Sequence, residues 1–440
     1  MKTELILRSM LSLAPIALAV GIALVQRPSR RALAGVLVAV SWNIWALLAV
    51  NLVAIHFGWW EFDAGLPSFM GVAIEPWLGW TILWGVFVSL AASGRPLVPI
   101  LVAVFWLDLI AMPLLSPVLV LGRGWLFGEV AAIAFALLPS LLFSRWTAND
   151  THLKRRAAMQ VATAAAFLLW LVPTAAIVKA DSWDSVSAIS SWRLSVAAQI
   201  LIFPIALGVS AVSEFVHRGR GTPIPYDPPK QLVTSGPYSY VRNPMQLSMV
   251  LIFVVGAVAL WNPWLLAGAA IAFAYGAGLA SWHEGIDLES RFGKQWISYR
   301  EKNRNWIPRW KPYIEGESQL LVAFSCTTCR SVGRWYVTRD PIALRIMPAE
   351  SSEDRGIRRI TYVPSSGAPS VGVAAVFQGL GHVNLGWAVV GWILNLPVLL
   401  QVSQLIADVF GPSPHPVAGN EYGESACNLE TRTDYLLSRT

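Results

Sequence analysis

Charge is what this chain has least of. Asp, Glu, Lys and Arg make up 13% of its 440 residues, where an ordinary soluble chain carries about 25%. That scarcity argues against a water-soluble globular protein. Cysteine is nearly absent, with three residues, so no second Cys pair exists to complete a zinc site. His382 and His415 lack ligand spacing, and no metal is expected. Internal repeats and low-complexity tracts are missing as well.

Apolar residues are what the chain has in excess, at 55%, together with 22 Trp. Indole rings collect where a bilayer meets water. The apolar runs are long enough to span, and we read them at 5–25, 32–55, 68–92, 97–121, 126–143, 157–178, 195–215, 245–260 and 264–281, about nine helices. The first run lacks a convincing small-residue cleavage site, so it reads as a helix rather than a signal peptide. Loop charge supports the alternation. Arg27, Arg30, Arg31, Arg95, Arg145, Lys154, Arg155, Arg156, Arg218, Arg220, Lys230 and Arg242 fall on one side. The other side carries Glu61, Asp63, Arg123, Lys179, Asp181, Asp184 and Arg193. Basic loops favour the cytoplasm, which predicts an outer N-terminus and a cytoplasmic C-terminal part in an inner (plasma) membrane. The net charge of +7 does not point to nucleic acid. Beyond Ser318, nine Arg balance nine Asp and Glu, so the excess belongs to the basic loops.

The character of the sequence changes near Pro312. We divide the chain into residues 1–150, a membrane region of unassigned role; 151–315, a second membrane region; 316–416, a cytosolic α/β module; and 417–440, a Pro/Gly/Ser-rich flexible tail. The fold class expected is mainly α: a polytopic transmembrane bundle followed by an α/β domain. The apolar run at 386–410 resembles another span, but Asn395 and Pro397 interrupt it, and packed helices are the preferred reading.

Two polar motifs flank the apolar pair 245–260 and 264–281. Ser235-Gly236-Pro237-Tyr238-Ser239-Tyr240-Val241-Arg242-Asn243-Pro244-Met245-Gln246 precedes it. His283-Glu284-Gly285-Ile286-Asp287-Leu288-Glu289-Ser290-Arg291-Phe292-Gly293 follows, then Trp296, Tyr299, Trp306, Pro308 and Arg309. A chain that crosses and returns brings both motifs to one membrane face. S-adenosylmethionine needs a cation for its carboxylate, acceptors for its ammonium and hydroxyls, and an aromatic slot for its adenine. Arg242, Glu284, Asp287, Tyr238 and Tyr240 offer that set. Pro244 suits a first helical turn. The bland alternative makes Arg242 a positive-inside anchor and the tyrosines interfacial aromatics.

Residues 226–312 resemble the isoprenylcysteine carboxyl methyltransferase and phospholipid methyltransferase superfamily. Gly236, Pro237, Tyr238, Arg242, Pro244, Glu284, Leu288, Phe292 and Gly293 match its pattern in order and spacing, and Tyr299, Pro308 and Arg309 fit its tail. Asn243 stands where that family has His, Gln246 where it has Tyr, Ser248 where it has Gly, and Gly285 where it has a second Glu. The resemblance implies an integral membrane methyltransferase with S-adenosylmethionine as cofactor. It places Tyr238, Arg242, Asn243, Pro244, Glu284 and Asp287 at the cofactor, and Tyr299 and Arg309 at a lipophilic substrate arriving through the bilayer.

Cys326-Thr327-Thr328-Cys329 follows a strand-like run and opens a helix, the context of a redox pair. A helix N-terminus favours thiolate on Cys326, and Cys329 can close the disulfide. Residues 320–410 resemble the DCC family of thiol–disulfide oxidoreductase-like, thioredoxin-related proteins through Cys326, Cys329, Trp335, Arg339-Asp340, Ile360-Thr361-Tyr362-Val363, Gly367 and Gly386-Trp387. Ala323-Phe324 occupy the place of that family's Asp-Gly. The resemblance implies a thioredoxin-like fold and a thioredoxin-like redox partner. Two alternatives to the methyltransferase stand: a membrane-anchored thiol–disulfide oxidoreductase using Cys326 and Cys329, and a transporter built on the first five helices. For the transporter, Asp108 is the strongest ionisable candidate, ahead of Glu75 and Glu129.

Overall fold

The computed structural model describes residues 2–116, 118–223, 227–352 and 357–411; side chains at 2–5, 185 and 279–284 lie outside the description, and Cys427 and His415 fall beyond it. The chain forms two compact units, Met1–Leu171 with Gly221–Pro228, and Val172–Arg220 with Pro229 onward.

Among the described residues seven helices are long and apolar enough to cross a membrane, or eight if the bent pair 385–394 and 397–410 counts as one span, where the sequence led us to expect nine. They are α1 (Lys2–Gln26), α2 (Arg30–His56), α3 (Ile74–Ala91), α4 (Leu97–Leu114), α5 (Trp125–Ala148), α6 (Leu153–Lys179) and α7 (Ser191–Gly219). The expected eighth and ninth are α8 (Pro244–Leu260) and the apolar stretch Pro263–Gly278, which begins with α9 (Pro263–Tyr275). At 17 residues, α8 rises about 25 Å, short of a hydrocarbon core about 30 Å thick.

The first unit packs α2–α5 and part of α6 around an apolar core that includes Leu48, Trp84, Ala136, Leu137 and Leu141, while α1 lays Leu7 and Leu11 against Leu66, Ala73 and Val118. Strand β1 (Trp60–Phe62) pairs antiparallel with β4 (Leu119–Leu121), and β2 (Ser68–Phe69) with β3 (Val72–Ala73). The β1–β4 pairing joins the α2–α3 and α4–α5 loops at one end of the bundle, as alternating spans require. At the other end Arg145 donates to the carbonyls of Ala92 and Arg95. Glycines let the elements close: a Cβ on Gly79 would stand 2.3 Å from the Leu11 carbonyl, and one on Gly128 would stand 2.2 Å from the Trp60 ring.

The second unit contains the end of α6, α7, and the α8–α9 hairpin. Trp261 ends α8 in a left-handed conformation (φ 48°), and the Asn262 side chain caps α9 by accepting from the Trp264 N–H at 3.0 Å. Arg193 stacks on Trp261 at 4.7 Å, and Lys179 lies 5.9 Å from the Trp264 ring. This is the cation–aromatic dressing of a membrane boundary. Beyond α9 a π-helical turn, Gly276–Ala280, leads into α10 (Ser281–Phe292), followed by α11 (Lys294–Lys302).

The same unit carries a four-stranded sheet in the order β6-β5-β7-β8. Its strands are β5 (Ser318–Val322), β6 (Leu344–Pro348), β7 (Thr361–Val363) and β8 (Ser370–Val371). β5 and β6 are parallel and joined through α12 (Thr327–Val337), whereas β7 is antiparallel to both β5 and β8. Leu320, Val322, Tyr336, Tyr362 and Ala375 form the core. Three helices follow: α13 (Val373–Leu380), α14 (Leu385–Leu394) and α15 (Pro397–Phe410), with an 87° bend between the last two. α13 packs on the sheet, α14 on α7, and α15 on α13 and α14. Ala388 and Trp392 of α14 share a core with Ala206 and Leu207 of α7 and with Tyr240.

Candidate active site

The hairpin decides where the two motifs meet. Because α8 and α9 run antiparallel, the start of α8 faces the end of α9. A Cβ built on Gly276 would lie 2.6 Å from Gln246 Oε1 and 3.0 Å from the Trp306 ring. The segment before α8, the π turn after α9 and the stretch after α11 therefore share one end of the hairpin.

That stretch, 303–313, straps the first motif through backbone hydrogen bonds. Arg242 N–H donates to the Arg304 carbonyl (3.0 Å), Arg309 N–H to Tyr240 (3.0 Å) and Tyr313 N–H to Ser239 (2.8 Å). Side chains complete the strap: Tyr299 Oη (2.8 Å) and Asn303 Nδ2 (3.2 Å) both donate to the Tyr238 carbonyl. On the opposite side Glu214 Oε2 accepts from Ser235 Oγ (2.7 Å) and Arg218 Nε (2.9 Å). Gly236 adopts φ +56°, and a Cβ there would stand 2.5 Å from Glu214 Cγ, so glycine is required twice over.

The strap encloses a group of buried polar atoms with no hydrogen-bond partner among the described residues: Arg242 Nε, Gln246 Oε1, Trp296 Nε1, Asn303 Oδ1 and Trp306 Nε1. Buried polar atoms are ordinarily paired. Five orphans in one neighbourhood, of mixed donor and acceptor character, mark a place suited to a polar ligand. Burial, and then the neighbouring Arg300, pull the Arg242 guanidinium below the ordinary arginine range, opposed by Tyr299. Burial likewise raises the Tyr299 and Tyr240 hydroxyls. Both phenols are thus neutral donors.

Residues 192–295 match the family model for phospholipid methyltransferases. The match covers about a quarter of the chain and runs from the first turn of α7 to the second residue of α11. It takes in both motifs and the hairpin between them, and stops short of the 303–313 strap and the sheet. Methyltransferases of this family generally use S-adenosylmethionine. Neither a curated protein nor a solved structure matches the chain. The matched segment thus contains Arg242 and Gln246, while Trp296, Asn303 and Trp306 lie beyond its end.

The structure brings Tyr238, Arg242 and Tyr299 together. Pro244 is the buried first residue of α8, with Asn243 as its N-cap. Asp287 turns to a surface ion pair with Arg291 (3.1 Å), one turn along α10 and without a described bond to the strap. The Glu284 side chain lies outside the described residues. Arg309 contributes its backbone to the strap, while its guanidinium reaches the Lys302 carbonyl and the Tyr313 ring. Tyr240 binds the sheet-bearing part rather than the orphan group: its hydroxyl donates to Gly381 (3.0 Å), and its ring meets Trp392 edge to face. Sequence reasoning missed Asn303 and Glu214. Both stand near helix ends, where Asn and Glu ordinarily serve as caps, and nothing in their spacing singles them out.

Cys326 caps α12, its Sγ accepting from Cys329 N–H at 3.4 Å. Both thiols are free and partly buried. Burial first, then the hydrogen bond and charge of Cys326, push the Cys329 thiol up to about 12. Glu350 braces the approach to the pair by accepting from Phe324 N–H (3.2 Å), Ser325 N–H (2.9 Å) and Ser325 Oγ (2.8 Å). Burial opposes its ionisation, but these bonds outweigh it and hold the carboxyl below its ordinary range. In the first unit, Glu75 pairs with Arg8, and Asp108 and Glu129 are buried in hydrogen-bonding contact with each other. No group of three or more metal-ligating side chains occurs among the described residues.

Proposed function

We propose that this protein transfers a methyl group from S-adenosylmethionine to a lipophilic acceptor at the membrane face where its hairpin ends. The observation that carries this reading is the set of orphan polar atoms along the first motif and the strap, of which Arg242 Nε and Gln246 Oε1 lie inside the segment that matches the phospholipid methyltransferases and Trp296 Nε1, Asn303 Oδ1 and Trp306 Nε1 lie just beyond it. The residues fit the cofactor. Arg242 supplies a cation for its carboxylate, the Gln246 and Asn303 carboxamides accept from ammonium or hydroxyl, and Trp296 and Trp306 offer aromatic surface with an N–H donor each. Glu284 and Asp287 stand as further acceptors on α10, and Asn243 and Pro244 shape the entry. The bound cofactor would supply an electrophilic methyl on a sulfonium. The protein's part is alignment and exclusion of water. Tyr299 holds the Tyr238 carbonyl, and so the first motif, in register, while Arg309 ties the strap to it. Acceptors reach this end sideways, past the exposed apolar side chains Ile271 and Phe273 of α9.

The test is binding of S-adenosylhomocysteine to the protein in lipid nanodiscs. Wild type binds, and Arg242→Ala and Glu284→Gln do not. Wild type that shows no binding ends the reading.

A second reading concerns the sheet. The order β6-β5-β7-β8, with one parallel and two antiparallel pairs and Cys326 at the start of the crossover helix, supports a thioredoxin-like module with Cys326 and Cys329 as a thiol–disulfide pair. A reversible disulfide that forms under mild oxidants, with a thioredoxin-like partner as reductant, is the expected behaviour. Failure to form it without denaturation would refute this reading and leave the first untouched.

A further inference from the structure

Helix α15 is built inside out. At 100° per residue, the pitch of an α-helix, its 14 residues fall into three sectors. Leu400, Ser403, Gln404 and Ala407 face the protein, and Gln404 Oε1 accepts from Val373 N–H at 3.1 Å. Gln401 and Asp408 form a narrow polar flank, exposed. The remaining sector holds Val398, Leu399, Val402, Leu405, Ile406, Val409 and Phe410, all exposed, Phe410 by 85%. A helix on a water-bathed surface points its apolar side inward. This one gives its small and polar stripe to the protein and its apolar stripe to the surroundings.

What precedes it locates those surroundings. Helix α14 is apolar around its circumference and packs Ala388 and Trp392 against Ala206 and Leu207 of the membrane-spanning α7. Leu207 lies seven residues before Glu214, about 10 Å down the helix from the polar motif. Four to seven residues further from the motif, about 6–10 Å along the helix, Ile200, Ile202 and Phe203 of α7 are exposed to the surroundings. α14 thus dips alongside a spanning helix, and the chain then bends by 87° at Asn395–Leu396 into α15.

We propose that α14 and α15 form a membrane anchor: α14 enters the bilayer beside α7, and α15 lies in the interfacial plane with its outward apolar sector among the acyl chains. The occupant of that sector is lipid, because α14, which leads directly into α15, packs along the membrane-spanning α7, and because the polar flank occupies one edge of the helix as an in-plane helix requires. The anchor sets the Cys326–Cys329 face and the 303–313 strap on the same membrane surface, joined through Tyr240. The placement does not depend on either proposed chemistry.

The test uses the full chain with Cys326, Cys329 and Cys427 replaced by Ala, reconstituted in phosphatidylcholine nanodiscs. Single nitroxide labels go at 401, 402, 405, 406, 408 and 409. Labels at 402, 405, 406 and 409 collide more with oxygen than with a water-soluble nickel chelate, and those at 401 and 408 show the reverse. As a check free of substitutions, a phosphatidylcholine with a photoreactive acyl chain labels the wild-type peptide covering 397–410. Preference for the nickel chelate at 402, 405 and 409 overturns the proposal. So does spin–spin broadening, which means a second copy covers the face, or low access to both reagents, which means protein covers it. Absence of photolabel in 397–410, with label present in α7, overturns it as well.

Discussion

Arg242 is the residue where a structural role and a binding role predict opposite outcomes. Its guanidinium is half-buried, Nε has no partner among the described residues, and burial already disfavours its charge. Its backbone N–H, which secures the strap at Arg304, is independent of the side chain. Replacement by Met keeps the length and apolar stem while removing a desolvated charge. A buried charge without a full complement of partners is a cost to the folded state, so Arg242→Met should leave the unliganded unfolding midpoint unchanged or raise it. Ligand binding should suffer instead. Truncating one partner of a desolvated charge pair costs about 2–4 kcal/mol, which at 1.4 kcal/mol per decade weakens S-adenosylhomocysteine by about 30- to 700-fold. The assay is calorimetric titration in nanodiscs beside a thermal ramp on the same sample. A lowered midpoint with unchanged affinity would refute the reasoning and return Arg242 to the role of interfacial anchor.

Gly236→Ala forces a side chain into φ +56° and against Glu214, at a cost of about 1–3 kcal/mol, and ligand affinity should fall with stability. Gly285→Ala is the control, since a Cβ there meets nothing within 4 Å; it should be neutral or stabilise its helix by about 0.5–1 kcal/mol, and equal loss in both variants would sink the argument. At pH 8 iodoacetamide should modify Cys326 well ahead of Cys329, whose thiol is pushed up to about 12; equal rates in peptide mapping would contradict the geometry. His382 is buried, with Nδ1 at the Ile342 carbonyl (2.8 Å) and Nε2 at the Tyr362 hydroxyl (2.9 Å). Burial lowers its protonation from 6.5 to about 4. The unfolded chain therefore binds the extra proton first, and stability present above pH 6.5 is lost as pH falls toward 4, by about 3 kcal/mol. Hydrogen exchange in β7 and α13 should rise over that window in wild type and not in His382→Gln; a flat wild-type profile would count against it.

Some of this architecture is written in composition. Apolar runs above bilayer length and the alternation of basic loops specify a multi-pass chain, because hydrocarbon admits so few ways to satisfy a backbone. The order of Gly236, Arg242 and Glu284 around an apolar pair likewise marks the methyltransferase-like segment before any coordinates. Length is ambiguous at α8 and α9, apolar helices of 17 and 13 residues that are at or below the lower limit of a span. Composition also left 386–410 ambiguous. Which face of α15 points outward depends on what α13 and β7 leave uncovered.

The candidate site shows the same division. Tyr238 and Arg242 could be named from a linear pattern, since local sequence sets a turn and a helix start. Asn303 and the indole of Trp306 join them only because the chain returns after α11 and lays 303–313 along the first motif, while Glu214 reaches it from α7 through Ser235 and Trp296 from α11. Backbone bonds made by such a return leave no mark in the sequence, since any residue but proline can donate them. Residue types therefore determined that this protein lives in a membrane and where its polar chemistry clusters. The packing of distant segments decided which polar atoms among the described residues are left without partners, and so where the proposed site lies.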